Sequence, residues 1–124
     1  KTANRSFLFS PDGHVAVRYS KVHLFDVDLP SGEKYRESNT VAGGGEARLA
    51  DTPWGKIGLS ICYDIRFPRL YRELAKRGAF AFTAPSAFTE TTGKVSQAVA
   101  PPRLRRPSVG PTIATRAGLP VTLW

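Results

Sequence analysis

The apolar positions of Arg5 to Phe9 and of Val15 to Tyr19 are mostly aromatic and β-branched, the composition of β-type runs. The intervening Ser10-Pro11-Asp12-Gly13 has turn chemistry: proline presets φ, aspartate bonds its own backbone and glycine accepts a positive φ. The pattern predicts a β-hairpin whose second strand delivers Lys21 and His23 to a strand end. The following LFDVDLPSGEKYRESNTVAGGGE has little periodicity and a run of glycines, and is predicted to be a loop. A second hairpin is predicted from Ala47–Leu49 and Ile57–Ile61, joined through Thr52-Pro53-Trp54-Gly55, with a later arm apolar enough to be buried. From Pro68 to Arg77, Leu70, Tyr71 and Leu74 recur at helical spacing, with proline in the first turn, basic residues near the end and Gly78 as the stop. The next run, AFAFTAP, reads as another short buried strand ending at Pro85-Ser86.

The middle of the chain therefore reads strand, turn, helix, strand, which implies an α/β domain with a parallel pair and a right-handed crossover. Ligands in open α/β sheets bind beyond the carboxyl ends of the strands, and Cys62 falls at such an end. A free cysteine is most often a small core hydrophobe. Against that, this position is a sharp strand-to-helix turn, where a side chain is held out from the sheet and a helix N-terminus favours a thiolate. Asp64, Arg66 and Arg69 also crowd it with charge. A thiolate that attacks an acyl carbon needs a base and oxyanion donors. By residue type His23 is a candidate base or a structural imidazole, and Lys21 is an oxyanion donor or a solvated strand-end lysine.

Composition narrows the class. At 124 residues the chain suits one domain, with globular composition. No apolar run approaches the roughly 18 residues of a spanning helix, and KTANRSFLFS lacks the features of a signal peptide, so no membrane association and a cytoplasmic setting are expected. Cys62 stands alone, which excludes an internal disulfide and a cysteine-based zinc cluster, and His14 and His23 lack metal-site spacing; neither metal nor cofactor is expected. The net charge of +8 invites a nucleic-acid partner, but half of it comes from the last thirty residues, where Arg103, Arg105, Arg106 and Arg116 face no acidic residue. Aromatic interleaving is poor there, so no nucleic acid is expected. Half of the prolines also fall in this tail, and no long helix can run through it.

YSKVHLFDVDLP at 19–30, RESN at 36–39, TPWGKIGLSICYDIRFPRL at 52–70 and PSAFTETTGK at 85–94 resemble the nitrilase superfamily of carbon–nitrogen hydrolases, in its branch of ω-amidases and deaminated-glutathione amidases. The resemblance covers residues 1–94. It implies a partial α-β-β-α sandwich and a Glu-Lys-Cys amidase acting on a small-molecule amide. Cys62 would be the nucleophile that forms a thioester, Lys21 and the Tyr63 N–H would hold the oxyanion, Glu37 would orient the lysine, and Arg66 would help bind substrate. His23 becomes a scaffold residue. CYD at 62–64 resembles amidase branches rather than nitrilases, which carry CWE.

Two departures shape what is expected. The family's general-base glutamate lies upstream of the lysine, in a segment that would precede Lys1, so residues 1–94 read as an incomplete hydrolase domain with negligible turnover alone. Residues 95–124 depart from the family pattern and read as an irregular, proline-rich basic tail, explained by an out-of-frame ending. A non-catalytic fragment or pseudoenzyme acting as an interaction module is the alternative. The complete protein would form a homodimer or higher homo-oligomer, pairing through helices that flank the cysteine region.

Overall fold

The two β-type runs of residues 5–20 form an antiparallel hairpin, β1 (Arg5–Phe9) and β2 (Val15–Ser20), with Leu8 opposite Val17 and Ser6 opposite Tyr19. The computed structural model describes residues 1–87 and the backbone of two short strands beyond them. In β2 the alternate residues Val17 and Tyr19 turn inward, and Tyr19 is fully buried, whereas Phe7 and Phe9 on the other face of β1 stay exposed.

The segment predicted as a loop holds more order than its pattern shows. Asp26–Asp28 (β3) pairs with Lys34–Arg36 (β4), and Glu37–Asn39 forms a single 3-10 turn. Three-residue strands are too short to display a period. The ribbon is held instead by its turn, where Leu29 N–H donates to Glu33 O at 2.8 Å, and by Arg36, whose guanidinium reaches Asp28 at 2.7 Å and the Val27 carbonyl at 3.0 Å.

The second hairpin is β5 (Arg48–Thr52) with β6 (Gly55–Leu59), and β6 pairs in parallel with β7 (Ala79–Thr83) to give the order β5-β6-β7. The crossover runs through a 3-10 turn, Cys62–Arg66, and the helix α1 (Pro68–Lys76). Leu70 and Leu74, one helical turn apart, bury the inner face of α1 against β6 and β7. A Cβ on Gly58 would stand 2.7 Å from the Phe82 ring and 3.0 Å from Leu74, so the helix approaches the sheet over a position with no side chain. β6 ends two residues before the expected Ile61, yet Ser60 N–H still bonds Thr83 O at 3.1 Å and Cys62 N–H bonds Pro85 O at 3.0 Å. The chain thus leaves the sheet gradually.

The α-helix begins at Pro68 as expected, but its N-terminus does not lie at the sulfur: Phe67, restricted by the proline after it, has φ −113° and ψ 86° and separates the 3-10 turn from α1. The dipole of α1 therefore starts at Pro68 rather than at the sulfur. The tail expected from residue 95 lies outside the described residues, apart from β8 (Thr112–Ala114) and β9 (Pro120–Thr122), which pair antiparallel. Among the described residues, no helix is long and apolar enough to cross a membrane.

The glycine run at 43–45 packs against the end of β2. A Cβ on Gly44 would fall 2.2 Å from the Ser20 carbonyl oxygen, a backbone atom that cannot yield without moving the strand. Gly44→Ala is expected to lower stability by about 1–3 kcal/mol, the usual range for forcing an extra carbon into packed structure. Urea denaturation measures this, and an unchanged midpoint would contradict the packing.

Candidate active site

Lys21 is the first residue past β2. Its N–H donates to Asn4 O at 2.9 Å and its carbonyl accepts the Gly44 N–H at 2.7 Å, so the backbone is fixed on both sides. The side chain is only 3% exposed, and Nζ donates to Glu37 Oε2 at 2.5 Å. Glu37 Oε2 also accepts the Phe25 N–H at 2.7 Å, and Oε1 accepts Asn4 Nδ2 at 3.0 Å. Burial alone would raise the Glu37 carboxyl, but the hydrogen bonds from Lys21, Phe25 and Asn4 outweigh it and hold the group below the ordinary carboxylate range.

Cys62 is the one non-glycine residue with a positive φ among the described residues, at +46°. That region is sparsely populated for residues with a Cβ, and holding one there costs roughly 1–3 kcal/mol. The surroundings fix it. Cys62 N–H is held by Pro85 O, and the partly buried side chain packs beside Ile61, Leu59 and Tyr19. Both readings of the sulfur thus describe part of it: it touches the core and opens outward. The next N–H, that of Tyr63, meets no hydrogen-bond acceptor among the described residues. The Tyr63 ring stands edge-on to Phe25 and Phe67, at 5.0 and 5.3 Å between centroids.

Asp64 has no exposed surface. Its Oδ2 accepts the Tyr19 hydroxyl at 2.7 Å and the Ile61 N–H at 2.9 Å, and its Oδ1 accepts the His23 N–H at 2.9 Å, with His23 Nδ1 at 2.8 Å. Burial, reinforced by the Asp64 charge, pushes the Tyr19 hydroxyl far above the ordinary phenol range, so it remains a donor. The His23 ring stacks on Phe67 with centroids 3.7 Å apart.

All five residues singled out from the sequence line one cavity of about 1620 Å³: Lys21, Glu37, Cys62, Tyr63 and Arg66. Aromatic surface from Phe7, Phe9, Phe25 and Tyr35 lines the same space. His23 is not among the lining residues, because its ring is turned to Asp64 and Phe67. Sequence reasoning assigned no part to Asn4 or Tyr19 and took Asp64 only as local charge. For Asp64 a signal existed, an acid two places after the cysteine with apolar neighbours on both sides. Asn4 and Tyr19 carried none.

The pair formed by buried Lys21 and half-buried Glu37 gives a stability signature. A carboxyl held low in the folded chain contributes stability above its unfolded pKa, and that contribution is lost as pH falls through the lower folded value. Glu37→Gln is expected to cost about 3 kcal/mol at neutral pH, as when one partner of a buried pair is removed. The gap between the two proteins should shrink in acid below the ordinary carboxylate range. Urea denaturation across that range checks it, and a gap independent of pH would contradict the pairing.

The carbon–nitrogen hydrolase family profile matches residues 1–122. An omega-amidase of Saccharomyces cerevisiae is 47% identical over 93 residues, covering 75% of this chain and 32% of the relative. A deaminated glutathione amidase of Synechocystis is 48% identical over 96 residues, covering 76% of this chain and 35% of the relative. Among solved structures, Nit3 of Saccharomyces cerevisiae, described as a member of branch 10 of the nitrilase superfamily, superposes with a TM-score of 0.66 at 39% identity, over 78% of this chain and 32% of that one. The NitFhit protein of C. elegans gives a TM-score of 0.67 at 43% identity, over 74% and 23%. The chain spans about a third of the length of the curated relatives it matches. With its α/β architecture and its lysine, glutamate and cysteine on one cavity, the chain belongs to the carbon–nitrogen hydrolase family of the nitrilase superfamily.

Proposed function

We propose that the chain carries the nucleophilic centre of an amidase that cleaves a small carboxamide to an acid and ammonia through a cysteine thioester. One observation carries this reading: a buried ammonium, paired to a carboxylate, and a thiol on a positive-φ turn open onto the same cavity. Cys62 Sγ attacks the amide carbon, and the carbonyl electron pair moves onto oxygen. The negative charge that develops needs donors fixed in advance, because donors that must reorganise during the reaction stabilise it less. Lys21 Nζ and the Tyr63 N–H supply them. Collapse of the tetrahedral species breaks the C–N bond, the nitrogen leaves as ammonia with the thiol proton, and water then hydrolyses the thioester to the acid and the free thiol.

Glu37 holds the lysine side chain aimed. Its remaining acceptor positions are taken by Asn4 and Phe25, so the carboxylate is itself held still. Arg66 and the Tyr63 ring bind the rest of the substrate at the cavity wall. The same reading assigns the enzyme a cytoplasmic setting, where Cys62 stays reduced, and a homo-oligomeric complete protein. It treats residues 1–94 as hydrolase domain and residues 95–124 as a tail.

Incubation with a glutaramate-like amide, or with a small activated acyl ester, is expected to add one acyl mass to Cys62, seen by peptide mass spectrometry. Cys62→Ala should lose the adduct entirely. No adduct on the parent chain, or the same adduct in Cys62→Ala, would overturn the proposal.

A further inference from the structure

We propose that Asp64 is a positioning residue that holds Lys21 and Cys62 at a fixed separation, an inference that rests on the oxyanion role given above to Lys21. The argument is one of placement. Tyr19 and His23 stand two residues before and two residues after Lys21, and both donate to Asp64. Ile61 immediately precedes Cys62, and its N–H donates to the same carboxylate. A single rigid group therefore bonds the backbone or side chains on both sides of the lysine and the residue just before the cysteine. The two segments lie about forty residues apart in the chain, and Asp64 spans 45 residues to Tyr19 and 41 to His23.

The carboxylate suits the task because both oxygens are filled and neither touches solvent. Rotation about its side chain would break two hydrogen bonds at once. Tyr19 adds a further tie, since its hydroxyl oxygen accepts the Val22 N–H at 3.3 Å while its proton goes to Asp64. Phe67, stacked on the His23 ring, closes the remaining side. Asp64 itself is absent from the cavity wall, so it acts through its neighbours rather than on substrate. An amide in its place would turn an N–H₂ group toward one of these donors, leaving that donor opposed instead of bonded.

The test separates positioning from bulk structure by comparing two reactions at the same sulfur. Acylation of Cys62 by p-nitrophenyl acetate passes through an oxyanion, whereas alkylation by iodoacetamide does not, so their rate ratio reads oxyanion support and cancels changes in thiol access. In the parent chain Lys21→Met is expected to lower the ratio about a hundredfold, the usual loss of one oxyanion donor. Asp64→Asn should lower it about tenfold or more, and adding Lys21→Met to Asp64→Asn should bring the total loss only to that of Lys21→Met alone, about tenfold further at most, the non-additivity of coupled groups. An equal loss from Lys21→Met in both backgrounds overturns the positioning role. No loss from Lys21→Met in the parent chain overturns the oxyanion reading of the site instead. If circular dichroism shows that Asp64→Asn does not fold, Tyr19→Phe removes one donor alone and should lower the ratio with alkylation unchanged; a ratio equal to that of the parent chain then overturns the proposal.

Discussion

A carboxylate taken out of water loses several kcal/mol of hydration unless donors replace it, and removing even one partner of a buried charge is strongly destabilising. Asp64 meets that demand with the Tyr19 hydroxyl, the Ile61 and His23 N–H groups and the His23 ring, all at 2.7–2.9 Å. Because those donors come from the end of β2 and from the turn after β6, satisfying one charge forces two distant segments together. The strained φ of Cys62 persists for the same reason, since the bond at Ile61 and the bond from Cys62 N–H to Pro85 O fix the turn on either side.

A second buried charge, on Lys21, is stacked onto this framework. Its partner Glu37 comes from the segment after β4, so three stretches of chain converge on one cavity: residues near 21, near 37 and near 62. The exposed wall of that cavity is mostly apolar, with the rings of Phe7, Phe9, Phe25 and Tyr35 alongside charged groups such as Arg5, Asp28 and Arg36. A mainly apolar lining with placed polar groups is the usual composition of a small-molecule site. The four arginines of residues 95–124 supply half of the net charge.

Much of the scaffold was legible because it follows local rules. Ser10-Pro11-Asp12-Gly13, the β-type run through Tyr19, and the Pro68 to Gly78 punctuation each specify an element without reference to the rest of the chain. The β3–β4 ribbon was missed because three residues show no period and its hold comes from Arg36 reaching across to Asp28. The α-helix was placed correctly, but its N-terminus was credited with acting on the sulfur, and Phe67 breaks the backbone between them. Cys62 and Lys21 were candidates by position and residue type, their roles and Glu37 came through family resemblance, and Asn4, Tyr19 and the role of Asp64 were not found. A hydrogen bond between residues 41 or 45 positions apart leaves no trace in local pattern, so only the folded chain could show it.

The account stands on an ammonium and a thiol acting on one carbonyl group. The most direct measurement is a crystal structure of the chain acylated on Cys62, in which the thioester oxygen marks where the oxyanion forms. The account predicts that oxygen at hydrogen-bond distance, about 3 Å, from both Lys21 Nζ and the Tyr63 N–H. A thioester oxygen turned away from both groups, with Lys21 still paired to Glu37 and out of reach, would contradict it.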